Sequence, residues 1–415
     1  MSVFAKRVLR RLLGARHEAG SAAIATTVGE ITPCSARPVP LLEKRLNILL
    51  PSINTQHLFG GIHTALQLYE AASAGFPRTR IITLDSAPDA AACARFPDHV
   101  QVSSDQESEA ARQIVPFSDR YGKTLPVGRA DVWLATAWWT AHAAQRLSRW
   151  QAEQFGAAKR VAYLIQDFEP GFYPWSSRYA LALSTYRPDE DLAVFNTALL
   201  RDFFAAQGIS YRNDGWFEPT LNGGLLGPLL QLRRRPPAPR QRRMVVYGRP
   251  STQRNAFELI CEGLRLWGWR DPRAETWEVV APGEISEEID LGPFKLRGLG
   301  KLSLDAYAEL LSTSAIGISL MVSPHPSYPP LEMSAFGMRV LTNSYANKRL
   351  SATHEGIVDL EVMTPEHMAA QLSAICDAWE QREMMPLGSW PDDEGFLRGA
   401  GVGSMSARVA SFLGQ

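Results

Sequence analysis

The sequence predicts an α/β protein made of two doubly wound, Rossmann-like domains that face one another across a cleft, and three observations lead there. From Leu46 onward, short apolar runs alternate with segments of helical periodicity, the pattern of a parallel sheet wrapped by helices. The run QLRRRPPAPRQRR, residues 231–243, breaks that pattern with prolines and a dense set of cations that no core accommodates. After it the alternation resumes. At 415 residues, with 45% hydrophobic and 21% charged residues, the chain has room for two or three domains and the composition of a folded protein.

The elements follow in order. The segment MSVFAKRVLRRLLGAR sets Phe4, Val8 and Leu12, with Leu9 and Leu13, on one helical face and Lys6, Arg7, Arg10 and Arg11 around the other. Such a basic amphipathic helix either attaches loosely to an anionic membrane face or is a solvated or disordered leader. A linker rich in Ala, Ser, Thr and Pro runs to about residue 42, so 1–42 is expected to stand outside the domains. The first domain, 43–230, takes its strands from LNILLP, RIITLD, VWLAT, RVAYLIQD and LAVFN, with a helix from Ile62 to Ala72 after the first. The second, 244–390, takes them from MVVYGRP, WEVVAPG, FKLRGLG, IGISLMVS and MRVLTN, with helices at 255–267 and 304–313. Residues 391–415 are expected to return to the first domain.

Lysine plus arginine and aspartate plus glutamate are equal at 43 each, so the basic excess of a nucleic-acid binder is missing and nucleic acid is not an expected partner. The four cysteines lie far apart, which fits a reducing compartment better than a disulfide framework. No apolar run reaches the roughly 18 residues that a membrane span needs. The expectation is a cytoplasmic protein, with peripheral contact at the inner face of the plasma membrane left open by the N-terminal segment.

Open α/β sheets bind ligands at the carboxyl ends of their strands, so the chemistry is sought there. In GRPSTQRN, Arg249 and Arg254 follow directly on a strand. Two guanidinium groups so placed suit a diphosphate, although in isolation they are equally two solvated loop arginines. In SLMVSPHPSYPPLEM a buried strand is read to end at Ser323, and a helix to begin near Pro329 with Glu332 in its first turn. That carboxylate suits a helix start and would equally accept two ribose hydroxyls. Gly60 and Gly61 let backbone approach a ligand after the first strand, and the flanking His57 and His63 read as loop or packing residues. In YLIQDFEPGFYPWSSRY, Asp167 and Glu169 lie among Phe172, Tyr173 and Trp175. Carboxylates beside aromatic faces suit a carbohydrate, with Asp167 the base or orienting group; Trp138 and Trp139 are a weaker candidate for the same surface. Asp189, Glu190 and Asp191 read as a solvated turn, and no histidine–carboxylate spacing suggests a metal, so no cofactor or metal is expected.

The combination of GRPSTQRN and PPLEMSAFG in two facing domains resembles the donor half of a GT-B glycosyltransferase of family 4. The phrases SINTQHLFGGIHTAL, YLIQDFEPGFYP, VVYGRPSTQRNAFEL and SLMVSPHPSYPPLEM resemble, more narrowly, the WsaF-type rhamnosyltransferases, which use dTDP-L-rhamnose to build bacterial surface polysaccharide. The likeness runs from Leu46 to at least Arg349. It implies a donor site on the second domain, with Arg249, Arg254 and Lys301 at the diphosphate and Glu332 at the ribose. Ser323, His325, Tyr328 and Gly61 complete the donor contacts, and catalytic roles fall to Arg249, Lys301 and Asp167. The acceptor site would comprise Asp167, Glu169, Phe172, Tyr173 and Trp175, taking a glycan that is lipid-linked in one version of the reading. Family 4 sequences usually carry a glutamate eight positions before the ribose-binding one. Here that position is Pro324, followed by His325, a less acidic loop consistent with a 6-deoxy sugar. Two rivals remain: a GT-B hexosyltransferase using a GDP- or UDP-sugar, and a non-catalytic glycan-binding protein of the same fold.

Overall fold

A computed structural model of the chain describes residues 26–54, 60–156, 158–235, 239–381 and 394–415. The amphipathic segment at the N-terminus and His57 lie outside the described residues.

Two parallel sheets organise the molecule. The first has eight strands in the order Asn213–Phe217, Leu192–Asn196, Val161–Ile165, Asp131–Ala135, Arg45–Leu50, Arg78–Thr83, Arg112–Pro116 and Val100–Gln101, every neighbouring pair parallel. Four of its six inner strands, those from Arg45, Asp131, Val161 and Leu192, are buried at every residue, as a sheet covered by helices on both faces requires. The second sheet has seven strands, Glu288–Asp290, Lys295–Gly300, Glu278–Pro282, Gln241–Val246, Ser314–Ile318, Arg339–Asn343 and Ile357–Leu360. Only its first pair is antiparallel. Side-chain oxygens start the flanking helices: Thr197 accepts from the Leu200 N–H, Ser303 from Ala306 and Thr364 from His367.

The structure departs from the sequence reading at several points. The expected linker contains the 3-10 turn Gly29–Ile31 and the strand Ala36–Pro38, which pairs with Leu125–Val127 in a small second sheet. The strand Arg112–Pro116 and the edge strands Val100–Gln101, Asn213–Phe217, Glu288–Asp290 and Ile357–Leu360 were not expected. The break between domains falls earlier than residue 231. Helix Gly223–Arg234 buries Leu225 and Leu229, together with Leu221, in one cluster with Val245, Val280, Leu311 and Val340 of the second domain. After residue 393 the chain first adds Leu397 to that cluster, then crosses and buries Val402, Val409, Phe412 and Leu413 against Leu66, Tyr69 and Phe76 of the first. Asp191 is not in a solvated turn: it is 1% exposed, bound by Arg187 and by the Gln145 amide.

The strand read as ending at Ser323 stops at Ile318, so residues 319–327 form a loop. Helix Phe257–Arg270 begins two residues late, behind the 3-10 turn Gln253–Asn255 and an Ala256 with φ of 48°. Glu332 is the fifth residue of helix Tyr328–Ala335 and so lies past its first turn.

Candidate functional site

Strand exits from both sheets converge at the cleft. On the second domain three of them stack at glycines. Gly248 bridges to Gly283, whose N–H donates to the Gly300 carbonyl at 2.8 Å, and a Cβ on Gly248 would come within 2.6 Å of the Phe257 ring. Arg249, Glu284 and Lys301 each follow one of these glycines, which gathers two cations and a carboxylate at one sheet edge. Arg249 Nε donates to Glu284 Oε1 at 3.1 Å, and the Ser251 hydroxyl donates to the same oxygen at 2.7 Å. Burial raises the Glu284 carboxyl, but the Ser251 and Arg249 bonds outweigh it and hold the group below its usual range. Lys301 is exposed beside them.

Glu332, on the helix Tyr328–Ala335, reaches this edge through the Tyr247 phenol, which feels both its charge and that of Arg249. The Tyr307 hydroxyl donates to Glu332 Oε2 at 3.4 Å. Burial pushes the carboxyl up to about 7, the Tyr307 bond opposing it. An acid so poised gains most from partners that donate to its charged form, as two vicinal hydroxyls do.

A second group of residues spans the two domains. Asp167, just beyond strand Val161–Ile165, accepts at Oδ1 from the Ser323 hydroxyl at 2.5 Å and from the Phe168 N–H at 2.8 Å. Its Oδ2 lies 3.4 Å from Arg254 Nε, and the Arg254 guanidinium rests over the Phe172 ring with Cζ 4.4 Å from the centroid. Arg254 is therefore engaged across the cleft with Asp167 and Phe172, a placement that the expected diphosphate role did not include. Burial raises the Asp167 carboxyl, with Arg254 and then Ser323 pulling it down less than burial lifts it.

His325 is buried on the same loop. Its N–H donates to Ser323 Oγ and its Nδ1 accepts from the Ser327 N–H, both at 3.0 Å, which leaves Nε2 to carry the ring proton. Burial, then Lys348 and Arg254, lower it to about 3, so the ring is neutral. Buried Asp167 Oδ2, Arg254 Nε, Asn196 Oδ1 and His325 Nε2 have no hydrogen-bond partner, a concentration of unmet polar atoms in one place that marks a ligand position. Tyr328 also crosses the cleft, its hydroxyl 3.5 Å from Asn196 Nδ2 and hydrogen-bonded to Thr64. Among the described residues the four non-glycine positions with positive φ are Thr197, Ala256, Ser327 and Ala346. Each lies within two residues of Asn196, Arg254, Tyr328 or Lys348, so backbone strain collects at the same cleft.

The aromatic wall divides into support and surface. Glu169 does not face an acceptor. Its Oε2 accepts from the Trp138 N–H at the start of helix Trp138–Phe155 and lies 3.5 Å from the Tyr163 hydroxyl; burial lifts the carboxyl to about 8. Trp138 is fully buried and donates from Nε1 to the Tyr173 hydroxyl at 2.9 Å, which makes Tyr173 a buttress, while Trp139 donates to Asp85 at 3.1 Å. Phe172 and Trp175 remain as ring surfaces. Trp175 is 93% exposed and stacks on Tyr179 at 5.5 Å and 9°. At Gly61 a Cβ would meet the Gln166 side chain at 3.0 Å, so the missing side chain there makes room for Gln166. His63 is exposed on the helix surface.

Glu284, Tyr307, Asn196 and Lys348 escaped the sequence reading. Glu284 follows a strand as Arg249 does, and that position was its only signal. Lys348 sits in the ordinary polar run TNSYANKRL, where nothing marks a lysine that the fold buries completely.

Two Rossmann-like domains, joined by a crossing C-terminal segment and carrying cations and carboxyls at facing strand ends, define the GT-B architecture, the two-domain fold of many glycosyltransferases. Profiles of the WsaF N-terminal and C-terminal domains match residues 45–198 and 242–373, and the chain belongs to the WsaF family. It is 33% identical over 246 residues to the O-antigen biosynthesis protein RfbC of Myxococcus xanthus, a match that covers 58% of this chain and 18% of that much longer protein. Among solved structures it resembles sucrose-phosphate synthase from Thermosynechococcus elongatus, with a TM-score of 0.54, 13% identity and coverage of 89% of this chain and 99% of that one. It likewise resembles α,α-trehalose 6-phosphate synthase from Burkholderia multivorans, with a TM-score of 0.54, 11% identity and coverage of 89% and 96%. At such identities the likeness is one of fold. Among the described residues no helix is long and apolar enough to cross a membrane, and no three His, Cys, Asp or Glu residues are grouped to hold a metal ion.

Proposed function

We propose that the protein is a glycosyltransferase that moves L-rhamnose from dTDP-L-rhamnose to a growing bacterial surface polysaccharide. The observation that carries the reading is that Arg249, bonded to Glu284, and the raised Glu332 both lie by the Tyr247 phenol at the second domain's strand exits, while Asp167 of the first domain bonds Ser323 across the cleft. Arg249 and Lys301 neutralise the departing diphosphate, Glu332 accepts the one free hydroxyl of the deoxyribose, its 3′-OH, and Asp167 orients and deprotonates the acceptor hydroxyl. Arg254 enters as the cation opposite Asp167. Because these cations already supply the positive charge a leaving diphosphate needs, transfer requires no metal. Domain closure brings donor and acceptor together and keeps water out. The rhamnosyl donor is favoured by Pro324 and His325 standing where an acidic residue would meet a hexose, and the glycan acceptor by the name of the Myxococcus relative. The acceptor is lipid-linked in this reading, and the basic N-terminal segment brings the enzyme to the inner face of the plasma membrane.

The test is product mass spectrometry after incubation with a rhamnan acceptor and dTDP-L-rhamnose, UDP-glucose or GDP-mannose, each with and without EDTA. The expected result is a single added deoxyhexose from the dTDP donor alone, unaffected by EDTA. Transfer from a UDP- or GDP-sugar instead replaces the donor, loss of transfer in EDTA removes the metal-free mechanism, and acceptor binding with no transfer from any donor leaves a glycan-binding protein.

A further inference from the structure

Lys348 is fully buried, at 0% exposure, on the loop after strand Arg339–Asn343, in a tight turn made by the Tyr345–Lys348 bridge and the positive φ of Ala346. Its Nζ donates to the Met321 carbonyl at 2.6 Å. That carbonyl also accepts from Asn343 Nδ2 at 3.1 Å and from the Ser323 N–H at 2.9 Å, while Asn343 Oδ1 takes the Met321 N–H at 2.6 Å. One residue on, the Val322 N–H donates to the Arg254 carbonyl at 2.7 Å. The turn so pinned ends in Ser323, whose hydroxyl accepts from the His325 N–H and donates to Asp167. A single turn thus connects Lys348, Arg254 and His325 to Asp167, a carboxylate that reaches over from the first domain.

Burying an ammonium costs several kcal/mol, and a methionine of similar length would fill the space without that cost. Nor is the charge needed to satisfy a peptide group, since Asn343 already bonds both polar atoms of Met321. What only Lys348 adds is positive charge behind the turn. We propose that Lys348 is a positioning residue for sugar transfer, its buried ammonium fixing the Met321–Ser323 turn and placing positive charge behind Asp167, opposite the acceptor. The inference rests on the transferase reading above.

The surrounding groups agree in sign. Asp167 and Asp359 hold the lysine charged against the burial that lowers it to about 8. Lys348 in turn draws Asp167 down and helps keep His325 neutral, both beside Arg254, with the Tyr345 phenol on the same loop. Glu169, next to Asp167, titrates in the same range, so a variant is needed to assign the alkaline limb.

The experiment compares the pH profile of turnover in the unsubstituted protein, Lys348→Arg and Lys348→Met, with dTDP titrations on the same preparations. Turnover of the unsubstituted protein is expected to fall as pH rises through about 8 because the ammonium that fixes the turn is lost, while Asp167 itself only becomes more ionised. Lys348→Arg, whatever its plateau, is expected to lack that fall, because guanidinium stays charged. Lys348→Met should lose about tenfold or more in turnover at neutral pH, with the donor KM changed less than about threefold, the pattern of a group that acts on the reacting centre and not on binding. An alkaline fall retained in Lys348→Arg, or full turnover in Lys348→Met, overturns the proposal. If no sugar is transferred by any version, the transferase reading fails and the lysine is judged separately, by carbon-13 titration of the Asp167 carboxyl, assigned by its disappearance in Asp167→Asn. Its midpoint rises in Lys348→Met and holds in Lys348→Arg if the ammonium places positive charge behind Asp167; an unmoved midpoint in Lys348→Met overturns the inference.

Discussion

Two buried aspartates on adjacent strands of the first sheet, both facing arginine, are treated in opposite ways. Asp131 lies at the amino end of its strand. Arg45 grips it with two nitrogens at 2.6 and 2.7 Å, and the Asn47 amide and the Gly128 N–H add bonds at 3.0 and 2.7 Å. Burial raises this carboxyl, but Arg45 and then Arg80 and Asn47 outweigh burial and leave it below its ordinary value. Asp167 lies past the carboxyl end of the neighbouring strand. Its arginine stands at 3.4 Å, its Oδ2 is unbonded, and its carboxyl is raised. The first arrangement spends the charge on holding the sheet together, and the second leaves it available. In an α/β sheet the amino ends of the strands serve stability and the carboxyl ends serve ligands, and within this one sheet the same residue type shows both.

The contrast breaks most visibly in stability. Asp131→Asn leaves Arg45 and Arg80 buried without their counter-charge, and urea unfolding should show a loss of about 3–5 kcal/mol while the folded fraction still binds nucleotide. The pH dependence has a matching sign. A lowered carboxyl contributes stability above the unfolded value of about 3.9 and loses it as pH falls through the lower folded value, whereas a raised one costs stability as pH climbs through the higher folded value. Asp131→Asn should therefore flatten the acid limb of the stability profile, and Asp167→Asn should leave stability at neutral pH equal or higher.

Asp167→Asn should instead cost about 100-fold in turnover, within the range for losing a general base, with dTDP affinity nearly unchanged. Glu332→Gln sharpens the donor side. The affinity of the unsubstituted protein for dTDP should rise as pH passes upward through about 7 and the carboxylate forms. In Glu332→Gln that rise should shrink, with affinity about tenfold lower at alkaline pH, the scale of a lost charge-assisted hydrogen bond. Trp175→Ala should raise the acceptor KM about fivefold, roughly one ring-stacking contact, and leave nucleotide binding alone. Smallest is Ser323→Ala, which removes one hydroxyl bond from the cross-cleft group and should cost turnover about threefold.

Much of the fold was legible because strands buried on both faces read as unbroken apolar runs: LNILL, VAYLI and LAVFN could be little else. Edge strands lack that signal. Both residues of Val100–Gln101 are exposed, and Asn213–Phe217 carries Asp214 and Gly215. Helix Gly223–Arg234 straddles the expected boundary at residue 230 because Pro228 and the following cationic run obscure its apolar face, and only the second core shows where its leucines go. At the site, the sequence singled out Arg249 and Asp167 by their places after strands and Glu332 by its place at a helix start, with the family resemblance supplying the roles of Arg249 and Glu332. It could not show that Glu169, two residues from Asp167, turns inward to cap a helix, or that Arg254 reaches for the opposite domain. The Asp167–Ser323 contact joins positions 156 residues apart, and the buried Lys348 bonds a carbonyl 27 residues back in the chain.

Calorimetric titration with dTDP, UDP and GDP, without metal and repeated on Arg249→Ala, tests the central claim most directly. Selective binding of dTDP, weakened about 100-fold by the loss of one bidentate charge pair, is the predicted result. Binding of none of the three nucleotides, or binding indifferent to Arg249, would contradict it.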